Sequence, residues 1–199
     1  VITYYLVMKK ITHFDSKKND ILRVAIRLFA CKGVDGVSVK HIGSEAGVTD
    51  AAIYKHFSNK MAVAHEVFSQ CCMTYTRIID YYVQQTGSFS ERFNQLISNV
   101  IEAYDDDPYR LLILAQSHDL FSKVDDTSYR LPLVALTEFI QQGIDQDEIP
   151  KQDAHLSAIM IIGIFTRLAN YSYEGELPAN LKELLPDIQE RLRSLIGLL

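Results

Sequence analysis

Apolar residues in this 199-residue chain recur three and four positions apart along almost its whole length. That spacing gathers side chains on one face of a helix and scatters them over both faces of a strand. No segment alternates polar and apolar residues between turn formers, so the pattern predicts an all-α fold of about nine helices. The first runs from Asp15 or Ser16, either able to cap free N–H groups, to Gly33, and buries Ile21, Ala25, Leu28 and Phe29. Two short helices follow, Ser38 to Ala46 with Gly47 as the stop, and Thr49 to about Phe57. Ser58 then caps a long helix with Val63, Val67, Cys71, Tyr75, Ile78, Ile79 and Tyr82 on one face.

The remaining elements are read the same way. One helix carries Phe93 to Tyr104, one runs from Tyr109 to about Leu120, and one from about Tyr129 to Ile144 is disturbed near its start by Pro132. The last two span about Asp153 to Tyr173 and Pro186 to Leu198. The domain reading is an N-terminal arm at 1–14, a three-helix head at 15–60 and a larger helical body at 61–199.

Composition excludes several classes. Hydrophobic residues at 48% and charged residues at 23% suit a folded globular chain rather than a disordered one. The strongest apolar run, Ala158 to Phe165, falls well short of the roughly 20 residues a spanning helix needs, so no membrane partner is expected. Lys9 and Lys10 follow the apolar stretch Val1 to Met8, the reverse of a secretory signal, and the expected location is cytoplasmic. Three cysteines, two of them adjacent, build neither a disulfide framework nor a zinc site, and no metal or cofactor is expected. The net charge of −5 hides an asymmetry. Residues 1–68 hold ten basic and six acidic residues, the rest ten and nineteen, so a head of +4 sits beside a body of −9.

The two short helices carry the chemistry. A helix lying in a major groove needs an apolar back and a small or polar front. In Thr49 to Phe57, Ile53 and Phe57 face inward with Val48, Ala51 and Ala52 leave room for close approach, and Thr49, Tyr54, Lys55 and His56 are left to reach phosphates or base edges. Asp50 repels phosphate and suits a cytosine amino group instead. The helix-turn-helix spans about residues 38 to 57.

The run Gly36-Val37-Ser38-Val39-Lys40-His41-Ile42-Gly43-Ser44-Glu45-Ala46-Gly47-Val48, followed by Ala52-Ile53-Tyr54-Lys55-His56-Phe57-Ser58-Asn59-Lys60, resembles the N-terminal signature of the TetR family of transcriptional regulators. The resemblance covers about residues 18 to 66. It implies that Tyr54 and His56 contact phosphate or bases, that Lys60 clamps a phosphate, that Ser38 and Lys40 touch the DNA backbone, and that Thr49 and Ala51 set sequence preference. Two positions depart from the pattern: Gly43, where the family has alanine, and Met61, where it has an acidic residue. Glycine in a helix interior costs about 1 kcal/mol against alanine. The family's usual mode is repression of a palindromic operator by a homodimer that a small molecule releases.

Two stripes in the body suit a dimer: Ile159, Ile162, Gly163 and Thr166 on one helix, with Ala158 beside them, and Leu192, Leu195, Ile196 and Leu199 on the next. By resemblance they pack on their symmetry mates as a four-helix interface. Tyr75, Tyr82, Phe93, Tyr104, His118, Phe121, Phe139 and Phe165, with His155, are the candidates for lining a mostly apolar effector pocket. Two other readings compete. One is a helical interaction module that does not read DNA. The other is an all-α enzyme holding magnesium on Asp105, Asp106 and Asp107 or on Asp125 and Asp126. The cluster at 105–107 ends a helix before Pro108 without a second acidic motif at matching spacing, and no nucleophile arrangement or Gly-rich phosphate loop is recognisable, so the chain reads as a non-enzyme.

Overall fold

The computed structural model describes residues 16–116 and 129–198; the arm at 1–14, His118, Phe121, Asp125, Asp126 and Leu199 lie outside the described residues. Nine α-helices and no strand occur among the described residues. They are α1 (Ser16–Lys32), α2 (Val39–Ala46), α3 (Asp50–Tyr54), α4 (Lys60–Gln84), α5 (Phe89–Asp106), α6 (Pro108–Gln116), α7 (Pro132–Asp145), α8 (Ala154–Tyr173) and α9 (Leu185–Leu195), with a 3-10 turn at Leu181–Leu184 before α9. Two compact units divide them: 16–71 with 109–116, and 72–108 with 129–198.

In the first unit, α1 buries Ile21, Leu22, Ala25, Ile26 and Phe29. Gly33, at φ +68°, ends it, its N–H returning 2.9 Å to the Phe29 carbonyl. Ile42, Ile53, Phe57, Val63 and Val67 complete this core from α2, α3 and α4. Gln116, at the end of α6, donates from Nε2 to the Ala30 carbonyl at 3.1 Å. Lys18 pairs with Glu66 at 3.3 Å and lies 5.6 Å from the Phe57 ring centroid, tying α1 to α4 and to the end of the reading segment.

Helix starts differ from the sequence reading at two places, each for a local reason. Asn59, not Ser58, caps α4: its Oδ1 accepts from the Ala62 N–H at 2.9 Å. Pro132 does not disturb α7 but opens it, because a proline in the first turn has no N–H to leave unpaired. Asp153 caps α8 as its position suggests, accepting from the Leu156 N–H at 3.0 Å.

The second unit is organised around three rings and one buried cation. Phe89 stacks between Phe93, at 5.8 Å, and Phe139, at 4.9 Å. Arg92 donates to the Tyr82 carbonyl at 3.1 Å and to the side-chain oxygens of Gln142 at 3.2 Å and Gln146 at 3.1 Å, and its guanidinium lies over Phe89 and Phe139. Neutral acceptors and ring faces thus hold the charge at the junction of α4, α5 and α7. Glu148 accepts the Phe89 N–H at 2.7 Å, closing the start of α5. Asp105 accepts the N–H groups of Leu181 at 2.8 Å and Lys182 at 3.1 Å, so one member of the acidic triple has a structural partner in the 3-10 turn.

The dimer stripe assigned to the last helix is corrected here. Leu192 and Ile196 are 0% and 1% exposed within the single chain. Gln189 and Arg193 of α9 bond α5 at Asn94, Ser98 and Ser90, which turns the apolar side of α9 inward. Leu195 is half-buried.

Two predictions follow from this packing. Helix propensity favours Gly143→Ala, but a Cβ there would stand 2.8 Å from the Phe89 ring, wedged in its stack. We expect Gly143→Ala to destabilise by about 1–3 kcal/mol in urea unfolding, and unchanged or raised stability would refute the packing account. Burial pushes the Cys72 thiol up to about 12, so it stays protonated and unreactive at pH 8, and Cys71 is buried beside it while Cys31 is exposed. Native protein at pH 8 should therefore label with iodoacetamide at Cys31 alone, and all three thiols should label in guanidinium.

Candidate nucleic-acid interface

The reading segment is assembled by three backbone devices. Ser38 Oγ accepts from the His41 N–H at 3.1 Å and starts α2. Gly47, at φ +65°, takes the left-handed conformation that closes α2 and turns the chain toward Val48. Thr49 Oγ1 accepts from the Ala52 N–H at 3.2 Å and starts α3.

The recognition helix is shorter than the expected Thr49 to Phe57. It ends at Tyr54, after which the His56 N–H bonds the Ile53 carbonyl at 2.9 Å in a tighter turn. Phe57 must swing back under the helix to bury its ring, and that tightening supplies the bend. Ile53 and Phe57 are buried as expected, while Thr49, Asp50, Ala51, Tyr54, Lys55 and His56 are exposed. Tyr54 is 54% exposed, which excludes a core role for its ring.

Five of the nine predicted contact residues come together. Ser38, Lys40, Asp50, Tyr54 and Lys60 line one open concavity of about 580 Å³, with Asp35, Gly36, Val37, Val39 and His41. Thr49, Ala51, Lys55 and His56 lie outside it. His41 was missed by the sequence reading. Its signal was its place beside Lys40 in the first turn of α2, where a polar side chain can share the approach to a backbone.

Lys60 needs a changed description. Its Nζ donates to the Val34 carbonyl at 2.8 Å and the side chain is half-buried. This cation pins the start of α4 to the loop after α1, and only its remaining N–H groups can face a phosphate.

The comparisons bear on this geometry. Residues 21–67 match the family profile described as bacterial regulatory proteins, tetR family. Over those residues, about a quarter of its length, the chain is similar to that family. It is similar to an uncharacterized HTH-type transcriptional regulator, YerO, of Bacillus subtilis, at 27% identity over 92% of this chain and 65% of that protein. Less than two thirds of the length of that relative is thus spanned. Over 37% of this chain and 39% of the relative it is 32% identical to the icaADBC biofilm operon negative regulator IcaR of Staphylococcus aureus. Among solved structures, the Bacillus subtilis regulator FadR in complex with stearoyl-CoA aligns with a TM-score of 0.68 at 20% identity, over 91% of this chain and 98% of that one, a likeness of fold. The tetR match covers α2 and α3 whole and the start of α4, so the concavity falls inside the shared part.

The aromatic residues proposed for an effector pocket are all buried where they are described. Phe93 and Phe139 are committed to the Phe89 stack, and Tyr104 donates to the Ala169 carbonyl at 3.3 Å. Asn99 donates to the Tyr82 hydroxyl at 2.7 Å; burial, reinforced by Tyr81, pushes the Tyr82 phenol up to about 12, against the pull of that hydrogen bond. These side chains build the interior of the second unit. His155 is exposed and within 3.3 Å of the Thr137 hydroxyl. No helix among the described residues is long and apolar enough to cross a membrane.

The double use of Lys60 gives a prediction. Lys60→Met keeps the aliphatic stem and removes the ammonium, leaving the Val34 carbonyl without its charged donor. Stability without DNA should fall by roughly 1–3 kcal/mol in urea unfolding. A variant as stable as the parent would restore the purely phosphate-binding description.

Proposed function

We propose that the chain is a DNA-binding transcription regulator of the tetR type: a repressor that binds a palindromic operator as a homodimer and is released by a small, mostly apolar or aromatic molecule. The observation that carries the reading is the gathering of Ser38, Lys40, Asp50 and Tyr54 on one open concavity, on a helix held from behind by Ile53 and Phe57. Repression and an effector are further supported by IcaR, a negative transcriptional regulator, and by FadR, which is found in complex with stearoyl-CoA. The chain acts by binding rather than by catalysis, in the compartment that holds the DNA, the cytoplasm.

Dimerisation falls to α8. Leu156, Ile159 and Met160 are 54%, 46% and 47% exposed, and Ile162 and Thr166 are half-buried. Gly163 is exposed, and a Cβ built on it would meet nothing within 4 Å, so the chain's own packing does not require glycine there. A bare backbone in an exposed apolar face suits the close approach of a second copy. Two reading helices held about 34 Å apart then meet successive turns of a duplex.

One experiment tests the whole. Duplexes enriched from a random library are titrated with protein by fluorescence anisotropy from 50 to 200 mM KCl, beside Lys40→Ala and the pair Leu156→Glu, Met160→Glu. Lys40 and Lys55 of each copy give a log–log salt slope of about −3.6, a loss on the order of a hundredfold across that range. Lys40→Ala should flatten the slope by about 2 in the dimer, one contact per copy. The α8 pair should sediment as a monomer and lose the operator. A flat salt response without enrichment of any sequence would favour the interaction-module reading instead.

A further inference from the structure

We infer that Gly43 and Asp50 form a coupled specificity device, in which the missing side chain of Gly43 sets where the Asp50 carboxylate stands and the carboxylate selects cytosine in the operator. The inference rests on the DNA-reading proposal above and names what one of its residues reads.

Gly43 lies in the middle of α2 and is buried. A Cβ built on it would stand 2.9 Å from the Val48 carbonyl oxygen, 3.2 Å from Asp50 Oδ1 and 3.5 Å from Ile53 Cδ1. Those atoms belong to the interhelical turn, the first residue of α3 and its buried anchor. The recognition helix is therefore seated on the bare Cα of Gly43. The Val48 N–H also donates to the Gly43 carbonyl at 2.9 Å, so the two backbones meet on both sides and neither can swing away as a side chain would. An alanine at 43 would gain helix propensity and force the turn, with α3 behind it, to shift.

Asp50 stands at the other end of this contact. Its side chain is exposed, lines the concavity with Lys40, His41 and Tyr54, and has no hydrogen bond or ion pair among the described residues. A carboxylate only accepts hydrogen bonds and is repelled by phosphate. In a major groove the donors are exocyclic amino groups, and Asp pairs with N4 of cytosine. An ordinary role exists for comparison: an acidic residue in a first turn stabilises its helix through the dipole. That role predicts a loss of stability on removal and no change in base preference.

The test uses the full chain and duplex selection from a random library, followed by affinities for single-base variants of the enriched site. The parent should favour C·G at one half-site position. Asp50→Ala should lower discrimination there by roughly 5- to 150-fold, and Asp50→Asn should move the preference to A·T, since asparagine pairs with adenine. Gly43→Ala, shown folded by circular dichroism, should lose discrimination at the same base pair, and the double variant with Asp50→Ala should be no worse than Asp50→Ala alone. If Gly43→Ala alters a different base pair or none, or if Asp50→Ala changes only the melting temperature, the coupling is overturned. Should Gly43→Ala not fold, the Asp50→Asn switch decides, and its absence overturns the inference. A parent that folds and dimerises but enriches no sequence would instead defeat the DNA-reading proposal, and this one with it.

Discussion

The burial of Ile53 and Phe57 behind a five-residue helix is the contact on which the rest of the head depends. A helix this short has no independent stability, because nucleation costs more than so few hydrogen bonds return. It exists because Ile53 and Phe57 bury their apolar side chains in the core of the first unit, and because Thr49 satisfies the N–H of Ala52 at its start. Its exposed side is then free to be polar without cost to folding. Stability lives on the back of the helix, so the residues on its exposed front can vary while the fold stands.

The same division of labour explains why the head was legible in the sequence and parts of the body were not. Ser38, Gly47 and Thr49 are local signals, each acting on backbone atoms within three residues, and their positions follow from residue type. Helix ends are harder where two candidates compete. Ser58 and Asn59 are adjacent capping residues, and only the path of the chain out of Phe57 decides between them. Pro132 carried a second meaning for a similar reason: whether it breaks a helix or begins one depends on where the first turn falls.

Tertiary partners were the least legible. An apolar stripe states that a helix buries one face but not against what. Leu192 and Ile196 have the spacing of an intermolecular seam, yet α9 turns them onto the interior of its own chain, led by Gln189 and Arg193. On α8 the half-stripe Ile159, Ile162, Gly163 and Thr166 falls at the exposed or half-buried side, while Ala158, one position away, is fully buried. Arg92 gives the converse case. A lone arginine in an amphipathic helix reads as surface charge, and nothing in the local sequence announces that Gln142 and Gln146, fifty residues on, will receive it.

Charge in the head also means less than its sum. Of the described cations there, Lys18 is paired with Glu66, Arg23 with Asp20 and Arg27 with Glu45, and Lys60 is held by the Val34 carbonyl. The surface pairs are worth about 0–1 kcal/mol and can open toward a phosphate, whereas Lys60 anchors a helix start. Lys17, Lys32, Lys40 and Lys55 carry no such engagement among the described residues. Of these four only Lys40 and Lys55 lie on the proposed DNA-reading segment, so under that proposal its electrostatic contribution comes from few charges. Under the same proposal, affinity draws as well on hydrogen bonds of neutral groups such as Ser38, Thr49 and Tyr54 and on doubling the contact through a dimer. Those contributions depend on fit, which is why the seat of the recognition helix matters more here than the net charge around it.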